Sequence, residues 1–387
     1  MPVVAALAVA VWFLLRPTSA GPLELAGAAF LAAYALTPAA RLMALGAGAL
    51  DHPDARKTHG VPTPKLGGVA IVAALILVVG RRALVDPQIQ AIVVAALVLM
   101  VAGAVDDLRG LSSGLRLLLQ VGGAGAVMAA GVRLHVVPGP LGGYVDGFLT
   151  ILWIVGITNA FNFIDGMDGL AGSLGALLAG FLAVAAAQGG SAAHLPIAAA
   201  LTGALLGFLP HNLRTRGRRA VIFLGDSGSA SVGFMLATLA IAQDWATRDP
   251  LVALAAPVLI FSVLIHDMVQ TTVARIASGR VRSVRAWLDY TGRDHIHHRL
   301  TEVLGGERRA LALILTLGVA LGSSALGLRA ATSRDALLFL LHGALVLLVV
   351  EILLGAARRS GAARGGSHHA EETGDDPGVI VETGRAA

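Results

Sequence analysis

The chain has 387 residues, 56% of them apolar and only 14% charged, with a mean hydropathy of +0.77. Soluble domains run nearer 45–50% apolar and about 25% charged, so a soluble globular class is excluded; so is a disordered chain, which needs low hydropathy and high net charge. The net charge of +5 rests on 27 Arg and two Lys (Lys57 and Lys65), and the absence of cysteine removes disulfides, thiol catalysis and thiolate-held metal sites.

In chain order, apolar stretches fall near residues 22–45, 66–80, 89–105, 114–130, 146–163, 172–188, 195–210, 229–243, 250–267, 310–328 and 335–356. Each is read as a membrane helix, although several are shorter than the ~20 residues of a full span. A further stretch at 2–15 is either a twelfth span or an uncleaved signal-like segment. Residues 131–145, rich in Gly and Pro, read as a surface excursion. The expected fold class is all-α: a polytopic membrane bundle of about 11 transmembrane helices, with a possible extra N-terminal helix. The expected organisation is an extra apolar segment at 1–20, a membrane-embedded domain at 21–356 and a polar, disordered cytoplasmic tail at 357–387.

Eleven alternating spans assign every loop to a side. One side then holds 22 of the Lys and Arg residues and the other holds seven. The positive-inside rule makes the rich side cytoplasmic, so the basic balance needs no nucleic-acid partner.

Five polar clusters lie on that cytoplasmic side, at span ends. Ionisable groups at a membrane edge are costly and mark function. The first, DHPDARKTHGVPTPKLGG at 51–68, gathers Asp51, Arg56, Lys57 and His59 ahead of a Gly-Gly helix start, a plausible phosphate site. The second is the pair Asp106-Asp107, two adjacent carboxylates that invite a cation or a shared proton, with Arg116 ten residues beyond Asp106. In the third, NAFNFIDGMDGLAG at 159–172, Asn159, Asn162, Asp165 and Asp168 recur every three residues, a spacing that groups them along one side of a helical turn. Carboxylates with amides suit a hard divalent cation and a polar ligand such as a nucleotide. The fourth, FLGDSGSA at 223–230, sets Asp226 between glycines. The fifth, RVRSVRAWLDYTGRDHIHHRL at 280–300, places His295, His297 and His298 among Arg293 and Arg299. Cationic neighbours disfavour zinc there and suit a diphosphate. Together the clusters suggest phosphoryl transfer between a soluble nucleotide substrate and a lipid.

In order and on one side, the five motifs resemble the polyprenyl-phosphate N-acetylhexosamine-1-phosphate transferase family (glycosyltransferase family 4), over about residues 22–328. The resemblance implies that undecaprenyl phosphate attacks a UDP-N-acetylhexosamine, giving undecaprenyl-diphospho-sugar and UMP, with Mg²⁺ required and Mn²⁺ a possible substitute. It implies catalytic roles for Asp106 and Asp107, with Asp106 orienting or deprotonating the lipid phosphate. It places Asp226, Asn162 and Asp165 at the metal, Asp168 at the nucleotide, and Arg116 on a phosphate. His295, His297, His298 and Arg299 match the loop holding the diphosphate and sugar; Asn159, Lys57 and His59 join them as substrate-binding positions. It further implies a bacterial cytoplasmic (inner) membrane enzyme, facing the cytoplasm and able to form a homodimer. The HIHHR run resembles the UDP-GlcNAc branch, the initiating step of a cell-envelope glycan. A third acidic residue, found in some members four positions after the first Asp, is replaced here by Gly110. The alternatives are a phospho-muramoyl-pentapeptide transferase and, from another class, an anion transporter.

Overall fold

The structure is a computed structural model that describes residues 20–53, 61–213, 219–243, 245, 249–283, 286–287, 290 and 292–371, with side chains to residue 357. Lys57 and His59 lie outside the described residues.

The chain is a helical bundle: α1 Pro22–Ala47, α2 Gly67–Ala83, α3 Pro87–Arg109, α4 Ser113–Ala129, α5 Gly142–Ile164, α6 Leu170–Gly189, α7 His194–Asn212, α8 Gly225–Ala242, α9 Pro250–Ile260, α10 Ser262–Ala277, α11 Ile296–Leu304, α12 Glu307–Gly327 and α13 Ser333–Glu371. Each of the eleven apolar stretches between residues 22 and 356 contains or becomes a helix, and the stretch at 2–15 lies outside the described residues. Among the described residues, seven helices are long and apolar enough to cross a membrane, eight if α9 and α10 count as one span. The protein is therefore an all-α polytopic membrane protein. Its lipid-facing character shows in α13, which leaves Leu337, Leu341, Leu345, Leu348 and Ile352 exposed.

Helix starts follow local chemistry. Asp86 and Asp249 each accept hydrogen bonds from two amides of the turn that follows, and a proline occupies the first helical position after each. Ser112 caps α4 through the Leu115 N–H.

Two expectations shift. The stretch 250–267 is not one straight span: it breaks at Phe261, where α9 and α10 meet at 79°. Pro257 sits in the last turn before that break and cannot donate to the helical ladder. The last helix continues to Glu371, past the boundary expected at 356. The continuation follows the preceding apolar helix through alanines and arginines, although Gly355, Gly361, Gly365 and Gly366 lower the helix propensity of this run.

The core is organised around α8, whose residues from Val232 to Ala240 are all buried. It packs against α2, α3 and α5. Such close approach depends on glycine. A Cβ on Gly68 of α2 would lie 2.2 Å from Gly228 Cα, and one on Gly103 of α3 would lie 2.4 Å from the Asp226 carbonyl oxygen. Small residues let backbones meet where hydrophobic burial alone gives lipid-immersed helices little reason to.

Two short strands, β1 Leu50–Asp51 and β2 Thr63–Pro64, pair antiparallel, with Leu50 opposite Pro64. The chain then runs beside the segment before α8: Phe223 N–H donates to the Pro64 carbonyl at 2.8 Å, and Gly67 N–H to Phe223 at 3.0 Å. Between them Leu66 takes a φ of 126°, a strained value for a branched residue. This bridge carries Lys65 to the α8 N-terminus.

Candidate active site

The site forms where the C-terminal ends of α3 and α5 meet the N-terminal end of α8. Asp106 lies in the last turn of α3. Its carboxylate accepts from the Leu111 N–H at 2.5 Å and from Arg116 of α4 at 3.1 Å. Asn162, in the last turn of α5, donates through Nδ2 to Asp226 Oδ1 at 2.8 Å and to Ser229 Oγ at 2.6 Å. Asn159, one turn earlier, donates to Gln120 at 2.7 Å and to the Val155 carbonyl at 2.8 Å. Asp106, Arg116, Gln120, Asn159, Asn162 and Asp226 line one cleft.

The two aspartates of the adjacent pair divide their work. Asp107 is buried and takes the Asp226 and Ser227 amides at 3.2 and 3.1 Å. It therefore caps α8 from another helix, supplying the acceptor that the first turn of a helix lacks. Lys65 Nζ stands 3.5 Å from the same carboxylate. Gly225 begins α8 at φ +75°, and a Cβ there would lie 2.6 Å from Asp107 Oδ2. Asp107 thus holds Asp226 in place and does not line the cleft.

The Asn159–Asp168 series does not continue along one helix. The helix ends at Ile164, and Asp165 to Gly169 form the turn into α6. Asp165 receives the Gly225 N–H and faces Asp226, Asp107 and Asp51; burial first, then these three charges, push its carboxyl up to about 8. Asp168 points elsewhere. It accepts the Ala220 N–H at 3.1 Å and lines a neighbouring groove with Arg41, Arg219, Phe223 and Glu307.

The histidine run lies on and just before α11, and His295, His297 and Arg299 in it are all buried. His295 Nδ1 is 2.7 Å from Asp267 Oδ2, and its Nε2 is 3.1 Å from Arg275. Both ring nitrogens are thereby used. Arg299 makes a two-pronged ion pair with Glu351 of α13, at 2.9 and 2.6 Å. His297 differs in that neither ring nitrogen has a partner. Its ring presses on the turn after α5, where a Cβ on Gly166 would lie 2.5 Å from Nε2. The His298 ring packs against it at a tilt of 44°, with centroids 4.1 Å apart. Burial, then its histidine neighbours, hold His297 well below the usual imidazole range. Burial and then Arg293 and His295 also lower His298. The expected cationic cluster is corrected on these two grounds. His297 and His298 are held toward the neutral form, and Arg299 spends its charge on Glu351.

The residues missed from sequence are those partners: Lys65, Gln120, Ser229, His266, Asp267, Arg275 and Glu351. His266, Asp267 and Glu351 carried a signal, since each is an ionisable group within an apolar stretch.

Among the described residues, no three His, Asp or Glu side chains form a ready-made metal cage. What is present is an incomplete shell: Asp226, Asp165 and the Asn162 amide around a turn with excess negative charge. That fits a cation which takes one or two carboxylates and completes its shell with substrate phosphates and water.

The fold and cleft define a polytopic membrane protein with a carboxylate–amide site at the ends of its helices. Residues 89–244 match the family described as glycosyl transferase family 4. Relatives include the probable undecaprenyl-phosphate N-acetylglucosaminyl 1-phosphate transferase of Bacillus subtilis, 31% identical over 77% of this chain and 82% of that protein. The decaprenyl-phosphate N-acetylglucosaminephosphotransferase of Mycolicibacterium smegmatis is 33% identical over 73% of this chain and 75% of its own length. The undecaprenyl-phosphate alpha-N-acetylglucosaminyl 1-phosphate transferase of Escherichia coli is 28% identical over 74% and 77%. This chain belongs to glycosyl transferase family 4.

Proposed function

We propose that the protein transfers N-acetylglucosamine-1-phosphate from UDP-GlcNAc to undecaprenyl phosphate, releasing UMP, at the cytoplasmic face of a bacterial inner membrane. The observation that carries this reading is the single cleft holding Asp106 with Arg116 and Asn162 with Asp226. The names of the relatives support the same chemistry, with a polyprenyl phosphate as acceptor.

An acceptor-phosphate oxygen attacks the β-phosphorus of the donor. The new bond joins that oxygen to phosphorus, and the bond to the bridging oxygen breaks, leaving with UMP. A phosphate monoester has its second pKa near 6, so its attacking oxygen is largely anionic at neutral pH. Arg116 is placed to hold that phosphate, and Asp106 orients Arg116. Asp226, Asp165 and Asn162 would hold Mg²⁺, with Mn²⁺ a possible substitute. Bound there, the metal neutralises diphosphate charge and stabilises the leaving phosphate. Asp168 and Phe223 offer the neighbouring groove an acceptor and an aromatic face suited to a nucleoside, flanked by Arg41 and Arg219. The motif it shares with the family assigns His297 to the diphosphate or sugar, and its ring abuts the turn that carries Asp165. For the acceptor's hydrocarbon chain, an almost wholly apolar groove runs along α5 to the broken helix, lined by Leu149, Leu152, Trp153, Ile157, Ile265 and Met268.

A donor labelled at its β-phosphate tests the reaction. The label should move into the organic phase with the lipid, and label at the α-phosphate should stay in water as UMP. Passage of intact donor into sealed vesicles without either change would favour transport. Arg116→Gln should raise the KM for acceptor about 10–100-fold, the range for losing a charged hydrogen bond, and leave donor KM within twofold. An unchanged acceptor KM would remove Arg116 from the phosphate.

A further inference from the structure

Glu351 is an acidic residue inside the most lipid-exposed membrane helix, an expensive place for a charge. Its carboxylate reaches two elements at once. Arg299 of α11 donates to both of its oxygens at 2.9 and 2.6 Å, and His266 Nε2 of α10 lies 3.1 Å from Oε1. Arg299 is itself buried. The next residue on α10, Asp267, holds the N-terminus of the same short helix: it accepts the Ile296 N–H at 2.6 Å and pairs with His295 at 2.7 Å. The adjacent His266 and Asp267 therefore fasten the first turn of α11 at two points, Asp267 directly and His266 through Glu351. Between the two anchors lies His297, buried, with both ring nitrogens unpartnered and its ring against Gly166 in the turn that carries Asp165.

α11 has nine residues and does not set its own position. An isolated helix of that length is marginal, so its orientation comes from tertiary contacts. A two-pronged carboxylate–guanidinium pair fixes angle as well as distance. The His297 ring has no hydrogen bond to orient it, so its direction depends on packing against Gly166 and His298 and hence on where α11 is held.

We propose that Glu351, with His266 and Asp267, is a positioning residue: it clamps α11 from within the membrane so that His297 is presented to the carboxylate-bearing turn. The inference rests on the proposed transfer reaction only for the role of His297; the clamp itself is a statement about α11. Glu351 acts through Arg299 and His297 and touches no substrate.

The experiment uses the full chain in detergent. Glu351→Gln alone leaves Arg299 a buried guanidinium without a counter-charge and can fail to fold, whereas removing both charges is far milder. The test variant is therefore Arg299→Gln with Glu351→Gln. It should lower kcat/KM for UDP-GlcNAc at least tenfold. In a His297→Asn background the same pair of changes should cost less than twofold, because the residue that the clamp serves is gone. Glu351→Asp, which keeps the charge, should recover part of the loss. Multiplying losses, in which the pair costs the same with and without His297, would overturn the proposal. If the unaltered protein transfers nothing from any UDP-sugar, the transfer reading fails and the clamp is judged by hydrogen exchange over residues 295–301. Exchange at least tenfold faster in the double variant supports the clamp; unchanged exchange overturns it.

Discussion

Asp226→Asn should lower Mg²⁺-dependent turnover by about a thousandfold or more, while the protein remains folded and membrane-inserted. The charge lost is the one placed in the first turn of α8, held by Asn162 on one side and by the Asp107-capped backbone on the other. An amide can still accept Asn162's hydrogen bond, so the geometry of the cleft survives. It supplies no charge to a divalent cation, and several kcal/mol of transition-state stabilisation are at stake, each 1.36 kcal/mol being a factor of ten. Single-turnover release of UMP, followed across Mg²⁺ concentrations, measures the effect. Activity within tenfold of the unaltered protein would remove Asp226 from the metal site.

Gly103→Val should cost about a hundredfold in kcat although residue 103 carries no chemistry. A Cβ at that position would sit 2.4 Å from the Asp226 carbonyl oxygen and 2.5 Å from the Ser227 nitrogen. Those atoms are backbone, so α3 and the start of α8 must separate. A displacement near 1 Å at a positioned group costs on the order of a hundredfold. Gly122→Val on α4 is the control, because a Cβ there meets nothing within 4 Å. Equal activity in the two valine variants would show that the α3–α8 contact does not position Asp226.

Much of this site was legible in the amino-acid sequence because its chemistry is written locally. Asn162 and Asp226 stand in short polar runs at the ends of apolar stretches, and the cost of such residues in a membrane singles them out. The helices were legible for the same reason, since spans are made by continuous apolar composition. What was not legible depends on residues far apart in the chain. Asp106 and Asp107 are neighbours, yet the first faces the cleft and the second caps a helix through an amide 119 residues later. Nothing local distinguishes them. The Asn159–Asp168 spacing suggested one helical side, but the helix ends at Ile164 and Asp168 turns toward Ala220. Arg299 looked like a substrate cation because its partner, Glu351, lies 52 residues away in another span. The break at Phe261 followed from a proline that also tolerates a gentle bend.

The most direct measurement is UMP release by purified protein given UDP-GlcNAc, undecaprenyl phosphate and Mg²⁺, with lipid and metal each withheld in turn. The account predicts release only when both are present, and its abolition by EDTA. Release that persists without the lipid would indicate hydrolysis. No release with GlcNAc or any other UDP-N-acetylhexosamine, from protein shown to be folded, would contradict the transfer reaction itself.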